Sequence, residues 1–234
     1  MTKVDYTPLQ LAKYFDQTFL KPYISYDELK AFCDEGERYG FKALVVNSAP
    51  VSKCREFIKN SDLLIGATIG FPLGQTTIDS KVYEAKKAIQ DGADEIDYVI
   101  NIVELKSRNF NYIHREMQEL VDVCRTHDRT VKVIFENCYL TEDEKKILCE
   151  IALKVRPHFI KTSTGFGTPA PGIPVGATVE DVRLMKSMTG GMVKIKASGG
   201  IRTLEDAFAM IDAGAERIGT SAGATIIERL KELQ

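Results

Sequence analysis

Six charged side chains sit inside otherwise apolar, β-branched stretches of this sequence, where an unpaired charge is costly to bury. They are Asp97 in EIDYVINI, Lys132 and Glu136 in TVKVIFENC, Lys161 in HFIKTSTGFG, and Lys194 and Lys196 in MVKIKASGGIR. Side chains alternate along a strand, so Glu95 shares a face with Asp97, Lys132 with Glu136, Lys161 with Ser163, and Lys194 with Lys196. If those faces point inward, lysines and carboxylates from four strands meet in one core. A lone strand lysine is more simply a buried ion pair or a stem that snorkels to solvent. Lysines at three strand ends, with an aspartate in a fourth, point instead to function.

Two ammonium groups held together do particular chemistry. An ordinary lysine titrates near ~10.4 and offers little free amine at neutral pH. A neighbouring ammonium and desolvation both disfavour the protonated form and release a nucleophile. Attack of that amine on a carbonyl gives a Schiff base. The iminium accepts electrons, so a carbon–carbon bond can break or form without a metal, while a carboxylate nearby moves protons.

A second set of residues suits an anion. Thr164-Gly165 follows Lys161, Ser198-Gly199-Gly200 follows Lys196, and Gly219-Thr220-Ser221 leads into a helical stretch. Glycines let backbone N–H groups approach a phosphate, and a helix N-terminus favours its charge. Any one of these loops could be a tight turn and nothing more. Three of them, each after a strand, favour a phosphate site.

These residues need a scaffold that brings strand ends together. Strands are expected at Phe15–Leu20, Ala43–Asn47, Leu64–Ile69, Glu95–Ile100, Val131–Phe135, His158–Thr162, Met192–Ala197 and Glu216–Gly219. Between and after them, helical periodicity marks Tyr26–Tyr39, Val51–Lys59, Ile78–Gln90, Tyr112–His127, Glu142–Val155, Val179–Met188, Leu204–Ala213 and Ala222–Leu230. Ser25 before Glu28 and Thr141 before Glu144 have capping-box spacing, and Gly40, Gly92 and Gly214 stand where helices end. Strands separated by single helices imply a parallel sheet with right-handed crossovers. Eight such units in 234 residues fit an α/β fold of one (β/α)8 TIM barrel, residues 1–234, with a short N-terminal helical segment. The rival, an open doubly wound sheet, lacks its glycine fingerprint: Gly165 and Gly167 have the first spacing, but Ala170 stands where the third glycine should be.

Composition narrows the function further. A formal net charge of -2 gives no global attraction to nucleic acid or an anionic membrane. The apolar runs are too short to span a bilayer, and MTKVDYTPLQ has no apolar signal core, so a cytoplasmic protein is expected. Five irregularly spaced cysteines suit a reducing compartment, and no Cys/His pattern suggests structural zinc.

The segments FDQTFLKP, IGATIGFPLG, GADEIDYVINI, VKVIFENC, FIKTSTGF, KASGGIRTLEDA and RIGTSAG resemble class I deoxyribose-phosphate aldolases over nearly the whole chain. The resemblance implies Lys161 as Schiff-base nucleophile, Lys196 as the lysine that depresses its pKa, and Asp97 as the carboxylate of a proton relay. It implies Lys132 in support, Asp16 and Thr18 at the substrate end, and Gly165, Gly199, Gly200 and Ser221 around the sugar phosphate. Thr164 and Gly219, from the same loops, complete the expected substrate-binding set. The family's reaction is reversible cleavage of 2-deoxyribose 5-phosphate to acetaldehyde and glyceraldehyde 3-phosphate, in nucleoside catabolism. The resemblance further implies no metal, no organic cofactor and a homodimer in the cytoplasm, with a small phosphorylated sugar as substrate.

The sequence departs from the family pattern in places. STGFGTPAPGIPVGATVEDV is several residues longer than the usual STGFSTGGATVEDV. Val45 and Ser48 replace a common cysteine and proline, INIVELKSRNF lacks a usual glycine, and LKELQ lacks a tyrosine-bearing tail. Pro169, Pro171 and Pro174 stiffen the long loop, which is expected to form a partly ordered flap at the catalytic face, beside the phosphate end. That loop motivates one alternative, a Schiff-base aldolase for a different sugar phosphate or aldehyde. A non-catalytic phosphosugar-binding barrel is the other.

Overall fold

The computed structural model describes residues 6–58 and 61–234. Eight strands, Phe15–Thr18 (β1), Ala43–Asn47 (β2), Leu64–Ile69 (β3), Glu95–Val99 (β4), Thr130–Ile134 (β5), Phe159–Lys161 (β6), Lys194–Ser198 (β7) and Arg217–Thr220 (β8), pair in parallel and in sequence order. The pairing of β1 with β8 closes the barrel. The helices are Pro8–Ala12 (α1), Tyr26–Tyr39 (α2), Val51–Phe57 (α3), Ile78–Gln90 (α4), Ile102–Lys106 (α5), Phe110–Thr126 (α6), Glu142–Val155 (α7), Val179–Thr189 (α8), Leu204–Ala213 (α9) and Gly223–Lys231 (α10). This is the expected (β/α)8 barrel. No helix among the described residues is long and apolar enough to cross a membrane.

Local signals act where the sequence places them. Ser25 and Thr141 close capping boxes with Glu28 and Glu144. Gly40 and Gly214 cap α2 and α9 in the left-handed conformation, whereas α4 is capped by Asp91 and Gly92 follows one residue later. Most element ends move by a residue or two. The expected end of α3, Lys59, lies outside the described residues. Helix α5 and a 3-10 turn at Asn137–Tyr139 were not expected, being too short to show a period.

Strand alternation sorts the core. Ile96, Tyr98, Val131 and Val133 join the apolar layer between barrel and helices. The intervening Glu95, Asp97 and Lys132 turn toward the barrel axis. One buried ion pair lies in the outer layer. Lys81 of α4 donates to Glu116 of α6 at 2.6 Å and to the Val99 carbonyl at 2.7 Å. Glu116 also accepts the Asn101 N–H at 3.0 Å, so the end of β4 is fastened from two helices. Burial pushes the Lys81 ammonium down and the Glu116 carboxyl up. Lys81→Met strands the carboxylate and should cost about 3–5 kcal/mol in urea unfolding, and Lys81→Met/Glu116→Leu should recover much of that loss. A double variant no more stable than the single one would show that the pair is not the cause.

Candidate active site

Strand register assembles the interior charges. Asp97 on β4 sits level with Lys132 on β5, and Lys161 on β6 with Lys196 on β7. Lys161 Nζ donates to Asp97 Oδ2 at 2.9 Å, Lys196 Nζ donates to the same oxygen at 2.8 Å, and Lys132 Nζ donates to Asp97 Oδ1 at 2.7 Å. Lys196 also bonds Asp16. Deeper in the barrel, Arg217 reaches Asp16 at 2.6 Å and Glu95 at 3.1 Å, while Lys132 reaches Glu95 at 2.5 Å. These seven side chains belong to residues no more than 6% exposed.

The cations differ in their partners. Lys132, Lys196 and Arg217 each touch at least two carboxylates. Lys161 touches one carboxylate oxygen, shared with Lys196. Its ammonium is brought down to about 8, chiefly by burial; Asp97 opposes the shift, and the charges of Lys196 and Lys132 add to it. Burial works against ionised Asp97, but Lys132, Lys161 and Lys196 outweigh it and hold the carboxyl well below its usual range. Asp16 is likewise lowered against burial by Lys196, Lys132 and Arg217. Burial also opposes charged Lys132, yet Asp97, Glu95 and Asp16 raise it.

Lys194 does not join this cluster. It is exposed at the first position of β7, its Nζ 5.7 Å from the centre of the Phe159 ring. The stem leaves through the open end of the barrel, and the fourth interior cation is Arg217. Glu136 also departs from the expected alternation. It leaves β5 in a left-handed conformation (φ 58°) and reaches the loop after β6.

A cavity of about 580 Å³ opens at the C-terminal ends of the strands. Lys161, Thr18, Thr164 and Gly165 line it, as do Gly199, Gly200, Gly219 and Ser221. Asp16, Asp97, Lys132 and Lys196 lie outside the lining, so Lys161 alone of the interior charges reaches the open space. The donors of Thr164 are already committed: its hydroxyl bonds Glu136, and its N–H donates to Glu136 Oε1 at 3.1 Å. Its Oγ1 also accepts the Phe166 N–H at 2.9 Å. Thr164 therefore braces the loop, with Glu136 beneath it; burial raises the Glu136 carboxyl.

The glycine loops touch through their backbones. Gly165 and Gly199 both have φ of 86°, and a Cβ on Gly199 would meet the Gly176 Cα at 2.9 Å and the Gly165 Cα at 3.3 Å. The Ala177 N–H donates to the Ser198 carbonyl at 3.0 Å, tying the end of the proline loop to β7. At its start the Thr168 N–H donates to the Tyr139 hydroxyl at 2.7 Å. The lining stops at Phe166 and resumes at Ser198, so no residue from Gly167 to Gly176 faces the cavity. The loop is anchored beside the mouth rather than folded over it.

Several cavity residues carried little sequence signal. Gln17 donates to Glu35 at 3.0 Å and accepts the Gly223 N–H at 3.0 Å, holding the start of α10. Ala222, the N-cap of α10, gives no side-chain hydrogen bond, which leaves that helix end open beside Ser221. Lys21 and Arg202 add positive charge to the lining, and neither forms an ion pair among the described residues. Arg202 stands two residues after Gly200 in the same loop and could have been included on that ground. Phe19 and Phe32 supply an apolar wall opposite. Among the described residues no group of three or more His, Cys, Asp or Glu could hold a metal ion.

Comparison with known proteins agrees with this arrangement. The family model of the DeoC/LacD family aldolases matches residues 10–229. A deoxyribose-phosphate aldolase of Lactobacillus acidophilus is 51% identical over 97% of this chain and 93% of its own length. One from Thermococcus gammatolerans is 50% identical over 94% and 96%. Among solved structures, an aldolase titled QR15 superposes with a TM-score of 0.87 at 40% identity, covering 95% of this chain and 96% of the other.

The contact between loops is open to direct test. A Cβ on Gly176 would lie 2.1 Å from the Gly199 carbonyl oxygen. Gly176→Ala should therefore push the two loops apart and cost about 1–3 kcal/mol. An unchanged Tm in this variant would show that the loops do not meet in solution.

Proposed function

The chain belongs to the DeoC/LacD aldolase family, and from that premise we propose that it reversibly cleaves 2-deoxy-D-ribose 5-phosphate into acetaldehyde and D-glyceraldehyde 3-phosphate through a Schiff base on Lys161. One observation carries the assignment of the lysine: of the interior cations, Lys161 alone opens onto the cavity, and its amine titrates near 8. About a tenth of it is then free amine at neutral pH, against less than about a thousandth for an ordinary lysine at ~10.4.

The neutral Nζ attacks the aldehyde carbon of the open-chain sugar, and loss of water gives an iminium. Removal of the proton from the C3 hydroxyl lets the C2–C3 electron pair move into the iminium. Glyceraldehyde 3-phosphate leaves, and an enamine remains. Protonation at C2 and hydrolysis then release acetaldehyde and restore the amine. Asp97 is held ionised by three lysines, so it is a poor store for a proton. Its role in the relay is to orient Lys161 and Lys196 and to balance the iminium charge. Lys196, touching both Asp16 and Asp97, carries the second positive charge beside Lys161.

The phosphate end is assigned to Gly165, Gly199, Gly200, Gly219 and Ser221, which line the same cavity as Lys161. Thr18 lines the substrate end, and Asp16 and Lys132 support it from below. The long proline loop gives no ground for a different sugar phosphate, because none of its residues faces the cavity. A purely binding barrel has no use for a lowered amine. We read the chain as one barrel domain with α1 at its N-terminal side, acting as a homodimer in cytoplasmic nucleoside catabolism. Five free, buried cysteines accord with a reducing compartment.

Borohydride should trap acetaldehyde on Lys161 as an ethyl adduct, at a rate that rises with pH through about 8 as the amine loses its proton. Lys161→Arg keeps the charge but no nucleophile, and should abolish both adduct and cleavage. An adduct that persists in Lys161→Arg would move the chemistry to another lysine. Ser221→Asp sets a like charge against the phosphate and should raise KM for the phosphorylated sugar about tenfold or more, with little change for deoxyribose. Equal losses on both sugars would place the phosphate elsewhere.

A further inference from the structure

The mechanism leaves two charged residues of the barrel interior unused, Glu95 and Arg217. They form its floor. Arg217 donates to Glu95 and Asp16, its guanidinium carbon 5.2 Å from the centre of the Phe159 ring. We propose that Glu95 and Arg217 set the charge balance of the interior cluster, and thereby make the one lysine that opens onto the cavity the first to give up its proton. This rests on the reading of Lys161 as the nucleophile.

The argument is a charge count. The cluster holds three carboxylates, Asp16, Glu95 and Asp97, and four cationic groups, Lys132, Lys161, Lys196 and Arg217. With every group ionised it carries one excess positive charge. In a buried, water-poor space the cheapest way to neutrality is the loss of one proton. Arginine does not give one up. Lys132 and Lys196 would each leave at least two carboxylates with a weaker partner. Lys161, with one shared oxygen, costs least. Two chains of contacts carry the floor's charge to it. One runs Arg217–Asp16–Lys196–Asp97 and the other Glu95–Lys132–Asp97, and both end on the carboxylate that accepts from Lys161.

The count includes what faces the cluster from every strand. β1 gives Asp16, β4 Glu95 and Asp97, β5 Lys132, β6 Lys161, β7 Lys196 and β8 Arg217. On β2 and β3 the inward positions are Ala43, Val45, Asn47, Leu64, Gly66 and Thr68, which carry no charge. Around its rim stand Glu136 on the Thr164 loop, His158 against the Val131 N–H, Cys124 of α6, and exposed Lys194 across the Phe159 ring. Glu95 and Arg217 are thus positioning residues, acting on Lys161 through the ions between.

The test measures the pH midpoint of reductive trapping of acetaldehyde on Lys161. Arg217→Gln removes the excess charge, so Lys161 should keep its proton and the midpoint should rise. Glu95→Gln adds to the excess, so the midpoint should fall. Each shift should be about one pH unit, the scale of a unit charge acting across a neighbouring ion pair at an effective dielectric of ~20. Glu95→Gln/Arg217→Gln restores the count and should return the midpoint close to that of the parent. A merely structural role would lower the rate in all three variants without opposite shifts, and that result overturns the proposal. Where a single variant does not fold, Arg217→Lys keeps the charge and should hold the parent midpoint; a displaced midpoint there counts equally against it. If the parent itself traps no aldehyde on Lys161, the Schiff-base reading fails first, and the two failures stay distinct.

Discussion

Charge inside a closed barrel survives only when it is paired on every side, and that requirement organises the molecule. Three carboxylates and four cations fill the axis where an ordinary barrel would stack branched apolar side chains. They are almost wholly shielded from solvent, so each position depends on its neighbours' reach. Register delivers that reach. Parallel pairing sets Lys161 level with Lys196 and Asp97 level with Lys132, and the closure of β1 on β8 brings Asp16 to Arg217. A slip of one residue in any of the six strands that carry an interior charge would turn that charge into the apolar outer layer. The same ladder that makes the fold thus sets the partners of the Lys161 amine.

The outer layer in turn serves the axis. Lys81 and Glu116 clamp the end of β4 two residues beyond Asp97, and Glu136 props the loop three residues beyond Lys161. Both braces are buried carboxylates that contact backbone N–H groups, and both stand outside the cavity lining. Division of labour follows from the geometry. The axis sets the charge around the Lys161 amine, the loops present backbone to the cavity, and the helical layer holds the two in register.

Much of this was legible beforehand because it is periodic or punctuated. Alternation named the inward lysines, capping boxes named the helix starts, and one helix between each pair of strands named the barrel. What escaped has a physical reason in each case. Arg217 lies within the expected strand Glu216–Gly219, but next to Glu216 at its start, where neighbouring opposite charges read as a solvated strand end. Lys194 obeys the right alternation but sits at the open end, which pattern alone does not locate. The loop after β6 was expected as a flap beside the phosphate end; sequence gives its departure point at the catalytic face without saying whether its residues turn to the cavity or to solvent. Gln17 and Glu35 meet only because β1 and α2 fold back on each other, a contact absent from any local pattern.

The placement of the proline loop has a consequence for the lineage as well as for the engineer. Its ends are tied down, at Tyr139 on one side and at the carbonyls of Ser198 and Gly199 on the other. Residues between those ties face solvent for the most part, among them Ile173 at 47% exposure. Length added there is mechanically isolated: strain from an insertion is absorbed between two fixed posts and does not reach the strand ends. Such a segment can drift in sequence, grow or shrink while the site beside it stays constant, and it offers a place to graft a tag, a tether or a surface attachment without disturbing the charged axis.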